Sequence, residues 1–141
     1  PWNYKCTWKP RNVVLAGQGG AASFLRNGRH KYIPYNRLFG RLDHMSVDGY
    51  GDFVGYANRD SLSYRETYGI QDIPTLFRGT LRRPGYCKAW DVFIELGMTD
   101  DSYQMANTAN LTPRTFLNSF LPYNANVSVE EKFKVFFTIP V

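Results

Sequence analysis

Hydrophobic and polar positions alternate on either side of Asn27-Gly28, from Ala22 to Pro34. An Asn-Gly pair supplies the two positive-φ positions of a type I′ turn, so a β-hairpin is expected across 22–34. A second alternation, 42–47 and 52–57, flanks Asp48-Gly49-Tyr50-Gly51 and predicts a second hairpin. Asp60 or Ser61 then offers an N-cap for a helix from Leu62 to about Tyr68, with Gly69 as its stop.

Residues 74–90 organise the chain. A strand is expected to open there. Leu76, Arg78, Thr80 and Arg82 fall on one face, and Thr75, Phe77, Gly79 and Leu81 on the other, which is expected to pack inward. Gly79 has no side chain, so another backbone or a ligand can approach it. Arg82-Arg83-Pro84-Gly85 ends the strand. A helix follows from about Tyr86 to Leu96, with apolar rows Ala89, Phe93, Leu96 and Cys87, Trp90, Ile94, and Gly97 after it.

Beyond Gly97 the pattern weakens into a polar stretch, 99–111. Thr112-Pro113 starts a helix striped by Phe116, Leu117, Phe120 and Leu121, and Ser128-Val-Glu-Glu131 is a capping box for a last helix. Near the start, Pro10 and Gly17 bracket a short helix. Gly17-Gln-Gly-Gly20 then breaks the chain, and it lacks the strand, spacing and long helix of a dinucleotide fingerprint. The fold expected is α+β: a largely antiparallel or mixed sheet with helices on one side over 1–100, and a small helical part over 101–141. The chain opens at Pro1 without Met and closes on the apolar run 135–141. It reads as a domain cut from a longer protein, with apolar surface exposed where the remainder would pack.

Composition narrows the partners. The 141 residues suit one domain, and 43% hydrophobic content with 16% aromatic supplies a core. Net charge is +5, but Lys and Arg never run beyond two, and RNA-recognition, helix-turn-helix and zinc-finger patterns are missing. Nucleic-acid binding is not expected, and the charge suits an anionic small molecule. No apolar stretch approaches the roughly 20 residues that span a bilayer, so no membrane role is expected. Cys6 and Cys87 lie far apart, with neither CxxC nor metal-ligand spacing, which points to a reducing cytoplasm and no metal.

The candidate chemistry is cationic. Arg-x-Thr-x-Arg on a strand beside a helix start can receive carboxylates through bidentate guanidinium contacts, or it can be a solvated strand face. Arg59 sits at a strand-to-helix junction, where Asn58 and Asp60 can steady it over a cleft or leave it facing water. GxSxG, HExxH and Walker motifs are absent, and nothing in the pattern places two of Asp43, Asp48, Asp52 and Asp60 together, while Asp100-Asp101 reads as a solvated loop. No catalytic residue is assigned.

Four stretches carry a resemblance: Pro1-Trp-Asn-Tyr-Lys-Cys-Thr-Trp8 with Pro10-Arg-Asn-Val-Val-Leu-Ala16; Gly55-Tyr-Ala-Asn-Arg-Asp-Ser61; Arg78-Gly-Thr-Leu-Arg-Arg-Pro-Gly-Tyr86; and Ala89-Trp-Asp-Val-Phe-Ile-Glu-Leu-Gly97. Together they resemble the C-terminal, substrate-binding domain of the saccharopine dehydrogenase family. Ala57, Trp2 and Cys6 depart mildly from its pattern. The resemblance implies an oxidoreductase of two domains acting on the CH–NH group of saccharopine in lysine metabolism. A preceding Rossmann domain would bind NAD or NADP, and this domain would hold the substrate, leaving room for a homodimer. It implies Arg59 as a carboxylate clamp, then Thr80 and Gly79, with Thr7 and Trp8 along the wall, Arg78 as a contact or a support, and Arg82 nearby. The acid–base residues would lie outside this chain, which alone would be inactive. Two other readings stand beside this one: a related reductase of carboxyalkyl amines or polyamines, and a non-catalytic binding module using the aromatic N-terminal segment.

Overall fold

The structure is a computed structural model and describes residues 9–15 and 19–137. Helix α1 (Arg11–Val14) starts after Pro10. Strands β1 (Ala22–Arg26) and β2 (Arg29–Ile33) form the first hairpin in the expected register, Leu25 opposite His30 and Arg26 opposite Arg29. Asn27 and Gly28 take φ of 51° and 73°, the pair of positive values that a type I′ turn requires. A 3-10 turn over Tyr35–Gly40 follows and buries Leu38 and Phe39, an element that the periodicity did not announce.

The second hairpin also forms as expected. Strand β3 (Asp43–Val47) pairs antiparallel with β4 (Gly51–Ala57), and β4 pairs antiparallel with β5 (Gly79–Arg82). The sheet order is β3-β4-β5, beside the two-stranded β1-β2 sheet. A parallel bridge between Ser23 and Asp60 and an antiparallel one between Leu25 and Leu76 extend the first sheet, which gives it a mixed character.

Residues 74–82 do not run as one strand. Leu25 and Leu76 exchange two backbone hydrogen bonds, of 3.0 and 2.9 Å, and the Gly28 N–H donates to the Pro74 carbonyl at 2.7 Å. The ladder then changes partner. The Asn58 N–H donates to the Arg78 carbonyl at 2.8 Å, and from Gly79 onward the chain pairs with β4. The first half of the segment is therefore bound to the first hairpin and the second half to the other.

The faces of β5 also differ from expectation. Leu81, assigned inward by parity, is 43% exposed, whereas Thr80 and Arg82 are half-buried on the side of Val54 and Tyr56. The reason is aromatic. Guanidinium groups can be buried over ring faces, and Arg82 lies 4.9 Å from the centre of the Tyr86 ring.

Helix α2 is shorter than expected, Tyr64–Thr67, because Asp60 caps a preceding turn. Its carboxylate accepts from the Ser63 N–H at 3.1 Å and from the Ser63 hydroxyl. Gly69 follows with φ of 64°. Helix α3 (Tyr86–Glu95) is as expected and stops at Gly97, whose φ is 77°.

The chain divides into two compact units, Pro1–Asp91 and Val92–Val141. The first holds the five strands found among the described residues and a core of Phe24, Leu25, Phe39, Val54, Tyr56 and Cys87. In it the Phe39 and Tyr56 rings meet edge to face at 4.7 Å. The second holds α4 (Pro113–Asn118) and α5 (Val129–Phe137), both begun by the predicted caps. Thr112 and Thr115 form a reciprocal box, as do Ser128 and Glu131. The α+β architecture is as the sequence led one to expect.

Candidate functional site

The end of β4 and the start of β5 bring the predicted polar residues together. Ala57 stands opposite Gly79, so the residues just beyond them, Asn58 and Arg78, become neighbours. The Thr80 hydroxyl donates to Asn58 Oδ1 at 2.8 Å. Ser61 is fully buried, and its hydroxyl accepts the Arg78 N–H at 2.9 Å. The junction 58–61 is thus tied to β5 by both backbone and side chain.

The three guanidinium groups have different surroundings. Arg59 is exposed, and its Nη2 donates to the Leu15 carbonyl at 2.7 Å. It also lies across Gly19, where an added Cβ would come within 3.1 Å of Nη1. A guanidinium has five N–H donors, and Leu15 is the one acceptor shown for Arg59 among the described residues. Expected partners Asn58 and Asp60 instead serve Thr80 and the Ser63 cap. Arg78 is half-buried. Its Nη1 donates to the Asp60 carbonyl at 3.1 Å, and its guanidinium carbon lies 3.4 Å from the centre of the Tyr64 ring. Arg82 is likewise half-buried, beside the Tyr56 phenol and the Cys87 thiol.

Electrostatics follow from this layering. Burial raises the Tyr56 phenol above its usual range, and Arg82 works against that rise through its charge and a hydrogen bond. Burial pushes the Cys87 thiol up to about 11, again opposed by Arg82. Hydrogen bonds from Ser63 hold the exposed Asp60 carboxyl below its usual range. None of these three shifts moves its group toward neutrality. The arrangement can bind and orient an anion.

At Gly79 the space on the Cβ side is taken by protein. An added Cβ would meet the Phe77 ring at 2.7 Å and the Tyr56 carbonyl at 2.8 Å. Thr7 and Trp8 lie outside the described residues. Sequence reasoning passed over Tyr64 and Tyr56 as neighbours of the arginines. Their signal was the high Tyr content, and nothing local paired either ring with its arginine.

Comparison with known proteins agrees with this architecture. The family described as "Saccharopine dehydrogenase C-terminal domain" matches residues 1–140. The mouse protein "Alpha-aminoadipic semialdehyde synthase, mitochondrial" is 35% identical over 119 residues, 82% of this chain and 12% of its own length. "Saccharopine dehydrogenase [NADP(+), L-glutamate-forming]" of Pyricularia oryzae is 34% identical over 104 residues, 74% of this chain and 23% of that protein. The chain spans about an eighth to a quarter of these relatives. A solved apo saccharopine dehydrogenase (L-Glu forming) of Saccharomyces cerevisiae has the same fold, with a TM-score of 0.76 and 23% identity. That likeness covers 96% of this chain and 31% of the yeast chain.

Proposed function

The chain belongs to the saccharopine dehydrogenase C-terminal domain family, and from this we propose that it is the substrate-holding part of an NAD(P)-dependent saccharopine dehydrogenase. Saccharopine is a lysine joined through its side-chain nitrogen to glutarate, and it carries three carboxylates. The observation that carries the reading is the junction between β4 and β5. It gathers Arg59, Arg78 and Thr80, and Arg59 keeps donors to spare among the described residues. Charge-assisted bonds of this kind are shorter and stronger than neutral ones.

In this reading Arg59 receives a carboxylate, and its bond to Leu15 fixes the fork before substrate arrives. Thr80 and the backbone at Gly79 extend the contact, and Thr7 and Trp8 belong to the same wall. Arg78 acts by support, because Asp60 and Tyr64 already hold its guanidinium. Arg82 supplies positive potential from below. Holding the remote carboxylates orients the secondary amine for reaction.

In this reading NAD or NADP, together with the acid–base residues, belongs to another domain of the full-length protein. The nicotinamide would accept hydride from the carbon beside the amine, and hydrolysis of the imine would complete the reaction. A homodimer and a reducing, cytoplasmic setting complete the reading. Among the described residues no helix is long and apolar enough to cross a membrane.

The test is turnover of the full-length protein with saccharopine and NAD or NADP, followed at the absorbance of the reduced nicotinamide. Arg59→Ala should raise KM for saccharopine about ten- to a hundredfold, the loss of one charged hydrogen-bonding group, while kcat changes less. Unchanged KM and kcat would remove Arg59 from the site. A folded protein that binds nicotinamide but ignores saccharopine would favour a reductase of other carboxyalkyl amines.

A further inference from the structure

A second recess lies against the first hairpin and shares Phe77 with the junction, where that ring backs Gly79. It encloses about 310 Å³, at the small end of ligand pockets. Its floor is aromatic. Phe24 of β1 and Phe77 meet edge to face at 5.1 Å, and Ile33 and Leu42 extend the apolar surface. Its rim is cationic, with Arg26, Lys31 and Arg41 against the single carboxylate of Asp43.

The cations divide by what they already do. Arg26 is held: its guanidinium lies 5.6 Å from the Phe24 ring and 5.7 Å from the Phe77 ring, and it pairs with Asp43 at 3.6 Å. Lys31 stands directly across from Phe24 in the hairpin register. Lys31 and Arg41 are both exposed, and neither forms an ion pair with a described residue. Two uncompensated cations beside an aromatic floor favour a ligand with a doubly charged head and a flat apolar body.

We propose that this recess binds a small aryl phosphate, its ring against Phe24 and Phe77 and its phosphate between Lys31 and Arg41. The site uses none of Arg59, Arg78 or Thr80, although its Phe77 ring also backs Gly79. It does not depend on the dehydrogenase reading. Ring and charge contribute together, so neither inorganic phosphate nor phenol reproduces the whole ligand. An exposed rim screens charge, which sets the affinity at modest strength, a Kd of about 0.1–1 mM.

Isothermal titration of the full-length protein with phenyl phosphate tests this. Inorganic phosphate should bind at least about tenfold more weakly, since it forgoes the rings. The double variant Lys31→Gln/Arg41→Gln should lose about tenfold or more. Both side chains are exposed, so an unchanged Tm will show that the fold is kept. Arg59→Ala should leave the Kd unchanged. Loss of binding in Arg59→Ala with retention in the double variant would overturn the proposal and place the ligand at the other junction. Equal affinity for inorganic and phenyl phosphate would overturn it as well, because the aromatic floor would then play no part.

Discussion

At the scale of single residues, Gly79 and Ser61 hold the junction. Gly79 is confined by the Phe77 ring and the Tyr56 carbonyl, so a methyl group must displace both. Gly79→Ala should cost about 1–3 kcal/mol, the usual penalty of overpacking, read as a lower denaturation midpoint at constant m. An alanine variant as stable as the parent would show that the ring and the β4 backbone both yield freely. Ser61→Ala removes the acceptor for the Arg78 N–H and should cost a similar ~1–3 kcal/mol for a donor left unsatisfied. Ser61→Thr tests the geometry separately, since it keeps the hydroxyl but must fit a methyl where Ser61 is 0% exposed. The roles of these two residues were only half legible in the sequence. Chemistry-bearing types and their spacing could be read directly, so Arg59, Arg78 and Thr80 were all singled out. Which face of β5 turns inward could not. Parity places residues on two faces without saying which is covered, and here Tyr56 and Tyr86 admit Arg82 to the half-buried side while Leu81 stays out.

At the scale of elements, local chemistry fixed most of what could be foreseen. The hairpins follow from turn residues whose φ values almost no other pair tolerates, and α4 and α5 from caps written in adjacent residues. The long strand expected at 74–82 failed because its partner changes midway, a tertiary event that alternation cannot report. The caps carry two predictions. Thr112→Ala should cost about 1 kcal/mol, because it removes the hydroxyl that accepts the Thr115 N–H, while the backbone N–H that donates to the Thr115 hydroxyl remains. The second concerns acid. Hydrogen bonds from Ser128 hold the Glu131 carboxyl below its ordinary 4.5, and Arg114 holds Glu130 below the same value. A carboxyl lowered in the folded state contributes stability above its unfolded pKa, and that contribution is lost as pH falls through the folded value. Amide exchange in α5 should therefore quicken as pH drops below about 4.5, after correction for intrinsic rates. Glu131→Gln should flatten that response. An unchanged pH profile in the variant would remove Glu131 as its source.

At the scale of the molecule, Cys87 reports on the first unit. It is 1% exposed, and its thiol titrates only near 11. A raised thiol pKa favours the folded state fully below the unfolded value of about 9, and that advantage fades as pH rises toward 11. At pH 8 an alkylating reagent should label Cys87 only through opening of the unit, so its rate should rise with denaturant in step with unfolding. Labelling at the rate of a free thiol in the native protein would show an open path to α3. The partner change within 74–82 has a further consequence, in time rather than in space. Each hairpin closes through its own turn, whereas this segment must reach back 48 residues to join Thr75 with Asn27 and 22 residues to join Thr80 with Asn58. Chain-closure entropy makes such distant contacts the slower ones to form. The hairpins should therefore form first and the 74–82 segment last, locking together two pieces that already exist. Substitutions in that segment should leave the folding rate nearly unchanged and shorten the lifetime of the native state.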